Sequence, residues 1–334
     1  MPRASSISAC VGVVIIGRNE APRLPACLAS VAGRVRRTIY VDSGSSDNSR
    51  ELARELGAEV IALDLELPFT AARARNTGWR ALLKQDPGLQ YIQFIDGDCE
   101  LFPGWLEAGL EFLEEHPATA VASGRLRERY PGASVYNRLC DLEWNAPVGS
   151  ETSCGGNAMM RLTALSECNG FDDSLIAGEE PELCFRLRQR GWVIQRLMAE
   201  MAFHDAAMHS FRQWWRRSRR AGTAVAHGYC LHGRSPERFC RRELMSLLSW
   251  GLGLPALTLL IACFSSWAAL LLLAYPAQVL RLRRRFLKAG RIPRTDCGLY
   301  ALHCVASKFP GLVGVLGILS DKLLARRSRL IEYK

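Results

Sequence analysis

Between Leu244 and Leu280 the sequence has no aspartate, glutamate, lysine, arginine or histidine. A run of 37 residues without charge cannot lie open to water, which excludes an ordinary solvated tail. As one helix it would reach about 55 Å, too long for a single upright crossing of an apolar layer about 30 Å thick and short for two. Pro255 and the polar break "CFSSW" (263–267) predict a tight hairpin instead. Acids are also scarce: 33 Asp and Glu stand against 43 Lys and Arg, a formal charge of +10. Cysteine is not scarce, but the twelve residues stand at least seven positions apart. That spacing offers no C-x-x-C and excludes a zinc ribbon or a thioredoxin-type motif. Buried, reduced thiols are expected, with Cys10 and Cys263 in apolar stretches. Zinc-finger spacing, an RNA-binding aromatic signature, internal repeats and low-complexity tracts are all missing, so nucleic acid is not an expected partner.

The positive charge comes in clusters: "RRSRRAG" (216–222), "RRE" (241–243), "RLRRRFLK" (281–288) and "ARRSR" (325–329). Two of them flank the apolar run directly, which favours anionic lipid as their partner. A single crossing would carry 281–288 to the far side against the positive-inside bias, whereas a hairpin returns it. A third apolar stretch, about 298–319, contains His303, Lys308 and Pro310 and reads as interfacial. The opening "MPRASSISACVGVVIIGRNEA" lacks a small-residue cleavage site and predicts a buried first strand, not a signal peptide.

Before this region, β-branched runs alternate with helical patterns. Strands are expected over 11–17, 37–42, 58–64 and 91–96, with helices over 22–33, 47–57 and 71–85. Such alternation predicts an α/β domain with a parallel-type sheet flanked by helices, and ligands bound beyond the carboxyl ends of the strands. Polar motifs stand at three of those ends: "GRNE", "DSGSSD" and "DGDCE". Residues 123–178 are irregular, and a helix is expected to begin near Glu180 or Pro181 and close at Gly191. The expected division is a catalytic domain over 1–235 and a membrane-associated helical region over 236–334.

Asp96 and Asp98, two residues apart just past a strand, can hold a divalent cation that neutralises a diphosphate. Asp42 can accept from a nucleobase imide or ribose hydroxyl, while Asp47 suits a helix N-cap. Arg73 and Arg75 offer guanidinium forks for phosphate or carboxylate. Glu179 and Glu180 crowd a helix N-terminus, whose dipole favours the ionised form that a general base needs. His204 is the candidate third metal ligand, preferred to His209.

Taken in order, "VVIIGRNE", "IYVDSGSSDNS", "ARARNTG", "FIDGDCE", "GGNAMM" and "GFDDSLIAGEEPELCFRLRQRGW" resemble the family-2 glycosyltransferases with the GT-A fold over about residues 11–215. The resemblance implies inverting transfer of one sugar from a nucleotide-diphosphate sugar, with Mn²⁺ or Mg²⁺ as cofactor. It implies Glu180 as base, with Glu179 beside it, and Asp96 and Asp98 at the metal, to which His204 is the candidate third ligand. Asn19, Glu20, Asp42, Ser43, Arg75, Asn76, Asp96, Gly97, Gly156 and Asn157 would border the donor, and Gly155 the acceptor and sugar. Ser43 replaces the usual second acid, and Glu180 the usual aspartate. "FRQWWRRSRRAG" (211–222) lacks the Q-x-x-R-W spacing of processive synthases, so single-sugar transfer is expected. A processive synthase and a catalytically inactive sugar-nucleotide-binding scaffold are the alternatives. A nucleotidyltransferase is disfavoured, because "GRNEAPRLP" is not a glycine-rich, lysine-bearing loop. The acceptor is expected to be a lipid-linked or membrane-proximal glycan of cell-envelope polysaccharide synthesis. The expected place is the cytoplasmic side of the inner or plasma membrane, and self-association is left open.

Overall fold

The computed structural model describes residues 4–67 and 69–324; the basic run 325–329 lies outside them. Nine strands form one sheet: β1 (Val11–Gly17), β2 (Arg37–Asp42), β3 (Glu59–Ala62), β4 (Tyr91–Asp96), β5 (Cys99–Leu101), β6 (Thr119–Glu128), β7 (Gly149–Ser150), β8 (Ala158–Arg161) and β9 (Val193–His204). Their order is β3-β2-β1-β4-β8-β6-β9-β5, with β7 on β9. The first four strands are parallel. Beyond them β8 runs antiparallel to β4 and β6, and β5 antiparallel to β9. Both faces of the parallel part are covered, which is why β1 reads as continuous Val and Ile. Val14 and Ile16 pack with Phe94, Leu82 and Trp79 on one face, and Val13 and Ile15 with Tyr40, Ile95 and Trp105 on the other.

Strands expected at 11–17, 37–42 and 91–96 and the helix at 71–85 are found with those limits. Thr70 caps that helix by accepting from Arg73 N. Other elements are shorter: Leu24–Ala29 for 22–33, Ser49–Glu55 for 47–57, and Glu59–Ala62 for 58–64. Asn48 occupies the N-cap of the helix Ser49–Glu55, but Asp47 supplies the capping oxygen, accepting from Ser49 N at 3.0 Å. The stretch 123–178, expected to be irregular, contains most of β6, β8 and the helices Val135–Trp144 and Leu162–Glu167. β6 escaped notice because register shifts at Thr119/Val121, Ser123/Arg125 and Arg125/Leu126 break its period-two pattern.

The chain forms two compact units. The first runs up to Tyr130 and resumes over Ala146–Ala206; the second holds Pro131–Asn145 and the chain from Ala207. The helix Phe211–His232 belongs with the C-terminal helices, because it packs along Lys308–Leu323 with backbones nearly touching. A Cβ at Gly222 would collide with the Gly311 carbonyl, and one at Gly314 with the Arg219 carbonyl. Ala226, Leu244, Leu247, Val315 and Ile318 fill the space alongside. Within the same unit Arg217 pairs with Glu143 at 2.5 Å and Trp214 Nε1 donates to His303 Nδ1 at 2.9 Å. Two helices, Arg241–Ala262 and Cys297–Leu323, are long and apolar enough to cross a membrane.

Candidate active site

In the first unit β1 ends between β2 and β4, in register Gly17 with Asp42 and Ile16 with Asp96. Both acids therefore stand at the carboxyl edge of the parallel sheet. Arg75, on the helix Ala71–Gln85 and 3% exposed, reaches the same edge. Its Nη2 donates to Asp96 Oδ1 at 3.1 Å, and its Nη1 to Glu179 Oε1 at 3.0 Å with Glu180 Oε1 at 3.1 Å. One guanidinium thus ties a strand end to the N-terminus of the helix Glu179–Gln189. Burial opposes the charge of Arg75, but Glu180, Asp96 and Glu179 outweigh it and raise its pKa. Gly156 packs flat against this cluster: a Cβ there would strike Arg75 Nη2 and come within 2.9 Å of Asp96 Oδ2. Asn157 Oδ1 accepts from Asp96 N at 3.0 Å, which fixes the strand end from the other side.

Three carboxylates share that one guanidinium, so the cluster holds more negative charge than it neutralises. Burial, followed by the charge of Glu179, pushes the Glu180 carboxyl up to about 7 against the pull of Arg75. Burial and the neighbouring acid thus act against the helix dipole, which favours the ionised form. The N-cap is Gly178 at φ +84, which contributes no capping side chain. Glu182 is unavailable as a substitute base: it is buried and doubly bonded to Arg186, which also donates to Gly170 O at 2.8 Å.

A second cluster begins two residues beyond Asp96. Asp98 is buried, and its Oδ2 lies 3.1 Å from His204 Nε2. Antiparallel pairing sets Cys99 of β5 opposite His204 of β9. Ligand atoms of Asp98, Cys99 and His204 lie within 4.8 Å of one another. Carboxylate oxygen and imidazole nitrogen suit a divalent cation of the Mg²⁺ or Mn²⁺ type. The Cys99 thiol is a poorer donor, because burial and then the Asp96 charge raise its pKa well above the ordinary value. The donor set therefore fits a divalent cation through Asp98 and His204. Asp96, also expected as a ligand, directs Oδ1 to Arg75. His209 is no part of the cluster.

Around β2 the loop turns inward. Asp42 is fully buried, its Oδ2 accepting from Gly44 N at 3.1 Å and Ser45 N at 3.0 Å, and its Oδ1 from Ser45 Oγ. The carboxylate expected to meet a nucleobase is thus turned into its own loop. Ser43 N donates to Gly17 O at 3.0 Å. Asn19, at φ +57, donates its N–H to Ser45 Oγ and accepts from Ser46 N, joining the two loops. Glu20 N donates to Ser49 Oγ, and its side chain lies under Gly97, whose N–H reaches Ile16 O at 2.8 Å. Asn76 is buried away from this edge. Its amide nitrogen donates to Phe171 O and Asp173 Oδ1, and its oxygen accepts from Trp79 Nε1 and Phe171 N. That makes Asn76 a brace for the 171–173 segment. Arg73 turns to the carbonyls of Leu67 and Asp64.

Cys99 was not among the residues expected at the site; only the pairing of β5 with β9, invisible locally, brings it to His204. All twelve cysteines are free, and Cys154 and Cys184 meet at 3.6 Å between the 154–157 loop and the helix Glu179–Gln189.

Residues 12–165 match the family "Glycosyl transferase family 2". The chain is 23% identical over 253 residues to glycosyltransferase AglE of Haloferax volcanii, covering 72% of this chain and 79% of that protein. It is 26% identical over 201 residues to the succinoglycan biosynthesis protein ExoA of Rhizobium meliloti, covering 54% and 59%. Among solved structures it resembles the mannosyltransferase PcManGT from Pyrobaculum calidifontis, determined with GDP-Man and Mn²⁺. The TM-score is 0.62 at 16% identity, over 92% of this chain and 86% of that one, a likeness of fold.

Proposed function

From the premise that this chain is a family-2 glycosyltransferase of GT-A fold, we propose that it moves one sugar, with inversion, from a nucleotide-diphosphate sugar to a hydroxyl of a lipid-linked or membrane-proximal glycan. The carrying observation is Arg75 held between Asp96 and the Glu179–Glu180 pair at the carboxyl edge of the sheet. Glu180, with a pKa raised to about 7, is matched to taking a proton from a sugar hydroxyl near neutrality. The hydroxyl oxygen bonds to the anomeric carbon from the face opposite the leaving group. The bond to the diphosphate oxygen breaks, and its electron pair departs with the nucleoside diphosphate. Arg75 holds Glu180 in place, and Glu179 balances the guanidinium. Gly155, Gly156 and Asn157 would leave room for the sugar.

Asp98 and His204 would hold Mn²⁺ or Mg²⁺, with Asp96 adjacent, and the cation's charge would offset that of the donor diphosphate. The loops carrying Asn19, Glu20, Asp42, Ser43 and Gly97 would receive the nucleoside, with Asp42 ordering them from beneath. Attachment to the inner or plasma membrane with a cytoplasmic active site is part of the proposal, supported by the two apolar helices and the basic clusters. The name of ExoA supports a role in envelope polysaccharide synthesis.

A panel of nucleotide sugars, scored by released UDP or GDP with a lipid-linked acceptor, tests the proposal. Release that depends on acceptor supports it. No release with any donor, from protein that still binds nucleotide, would point to an inactive scaffold.

A further inference from the structure

In the second unit the uncharged run folds back on itself, and its base is clasped. Tyr275 OH donates to Trp250 O at 2.7 Å, the two rings stand 5.9 Å apart, and Tyr275 also meets Phe309 of the helix Lys308–Leu323 at 5.7 Å. Outside that clasp, Gly251–Ala262 leads away, Cys263–Ser265 turns, and a 3₁₀ helix Ser266–Leu273 returns. Twelve helical residues outward, and eight of 3₁₀ form plus Ala274 back, each reach about 18 Å. That exceeds one leaflet of hydrocarbon, about 15 Å, only slightly and falls well short of the full 30 Å.

The surface of this hairpin is apolar and exposed, most of all at its tip: Phe264 is 87% and Trp267 75% exposed, with Leu259 at 71%. Five backbone N–H groups near its turn are bonded locally. The N–H groups of Cys263, Phe264, Ser265, Trp267 and Ala268 are all bonded within the segment 260–268. Such closure is what hydrocarbon demands of a turn, and water does not. Charge stands at both feet: Arg241 and Arg242 before the outgoing arm, and Arg281, Arg284, Arg285 and Lys288 after the return. The last four line a groove with Ala277 and Leu280. The other candidate crossing, Cys297–Leu323, is engaged by protein over part of its length. It is packed backbone to backbone against Phe211–His232, which carries Arg216, Arg217, Arg219 and Arg220.

We propose that residues 251–274 form a re-entrant hairpin that enters one leaflet of a bilayer, tip first at Phe264 and Trp267, and crosses nothing. It rests on the membrane attachment proposed above. The basic residues at its feet stay with anionic headgroups on the side of entry.

The test uses full-length protein with Cys230, Cys240 and Cys304 changed to serine, leaving Cys263 as the exposed thiol. It is reconstituted in vesicles of phosphatidylcholine and phosphatidylglycerol and treated with a membrane-impermeant maleimide, either added outside or trapped inside. The expected result is flotation with the vesicles, labelling from neither side, and full labelling once detergent is added. Labelling by trapped reagent would mean that the tip reaches the far side, and overturns the re-entrant geometry. Labelling from outside in floating protein would leave attachment standing but overturn insertion. Protein that fails to float removes the attachment reading itself. Should the serine variant misfold, wild type is compared with Trp267→Phe in lipids brominated at mid-chain. Quenching should be strong in wild type and clearly smaller in the variant; equal quenching overturns the proposal.

Discussion

Glu180 Oε1 lies 3.1 Å from Arg75 Nη1, the same nitrogen that donates to Glu179 Oε1 at 3.0 Å. A carboxylate that shares its counter-ion with a second acid is held in place without being held fully ionised. Glu180→Gln keeps the shape and removes the proton acceptor, so turnover should fall by roughly 10²-fold or more. Nucleotide affinity, measured by calorimetry, should hardly change. Normal turnover in this variant would put the base elsewhere, with Glu179 the remaining neighbour.

The pH profile should carry the same signature. Transfer needs the ionised form, so kcat/KM should rise with pH through about 7 and then level. In Glu180→Gln that limb should vanish. Stability has the opposite sign. The folded state binds the Glu180 proton more tightly than the unfolded chain, so this contribution is complete below the ordinary value of 4.5 and is lost as pH rises to about 7. Relative to Glu180→Gln, the Tm of wild type should therefore drop across that interval.

Arg75→Met would strand three carboxylates around a buried apolar stem. A loss of roughly 3–5 kcal/mol in unfolding free energy is expected, typical of breaking a buried ion pair from one side. Urea midpoints measure it, and Arg75→Lys should recover only part, since an ammonium cannot fork between Asp96 and Glu179.

Gly156→Ala adds one methyl group where Arg75 Nη2 and Asp96 Oδ2 already stand. The fold should survive by circular dichroism. Displacing the pair should cost about 10²-fold in kcat/KM, the scale of a misplaced catalytic group. An active alanine variant would show that the loop yields without consequence.

Chelation should abolish transfer, and Mn²⁺ or Mg²⁺ should restore it. Asp98→Asn and His204→Ala should each weaken donor binding. Full activity in excess chelator would take the cation out of the mechanism.

The parallel half of the fold and its acidic strand ends were legible because each rests on short-range pattern: four apolar runs, their turns and a DGD. Arg75 and Glu180 were legible by type and by motif, but their contact was not. It joins residues more than a hundred positions apart. What the sequence concealed was of two kinds. β6 carries register shifts and charged residues, so no period survives to be read. Asp42 and Asn76 have the polarity of ligand contacts yet spend it on their own surroundings, and polarity alone does not say which way a carboxylate or amide turns. The close packing of Phe211–His232 on Lys308–Leu323 was likewise not legible, because it rests on glycines far apart in the chain.

The partnership of Asp98 with His204 spans 106 positions, and that separation has a meaning in time. As the chain leaves the ribosome, β1, β2 and β4 can align once about the first hundred residues have emerged. The imidazole arrives only when β9 has been made and laid beside β6 and β5. An interrupted product ending before residue 204 could fold much of the proposed nucleotide edge yet lack one of the two residues proposed to hold the cation. Competence for donor chemistry would thus come late in synthesis, and the last strand laid into the sheet is the one that confers it.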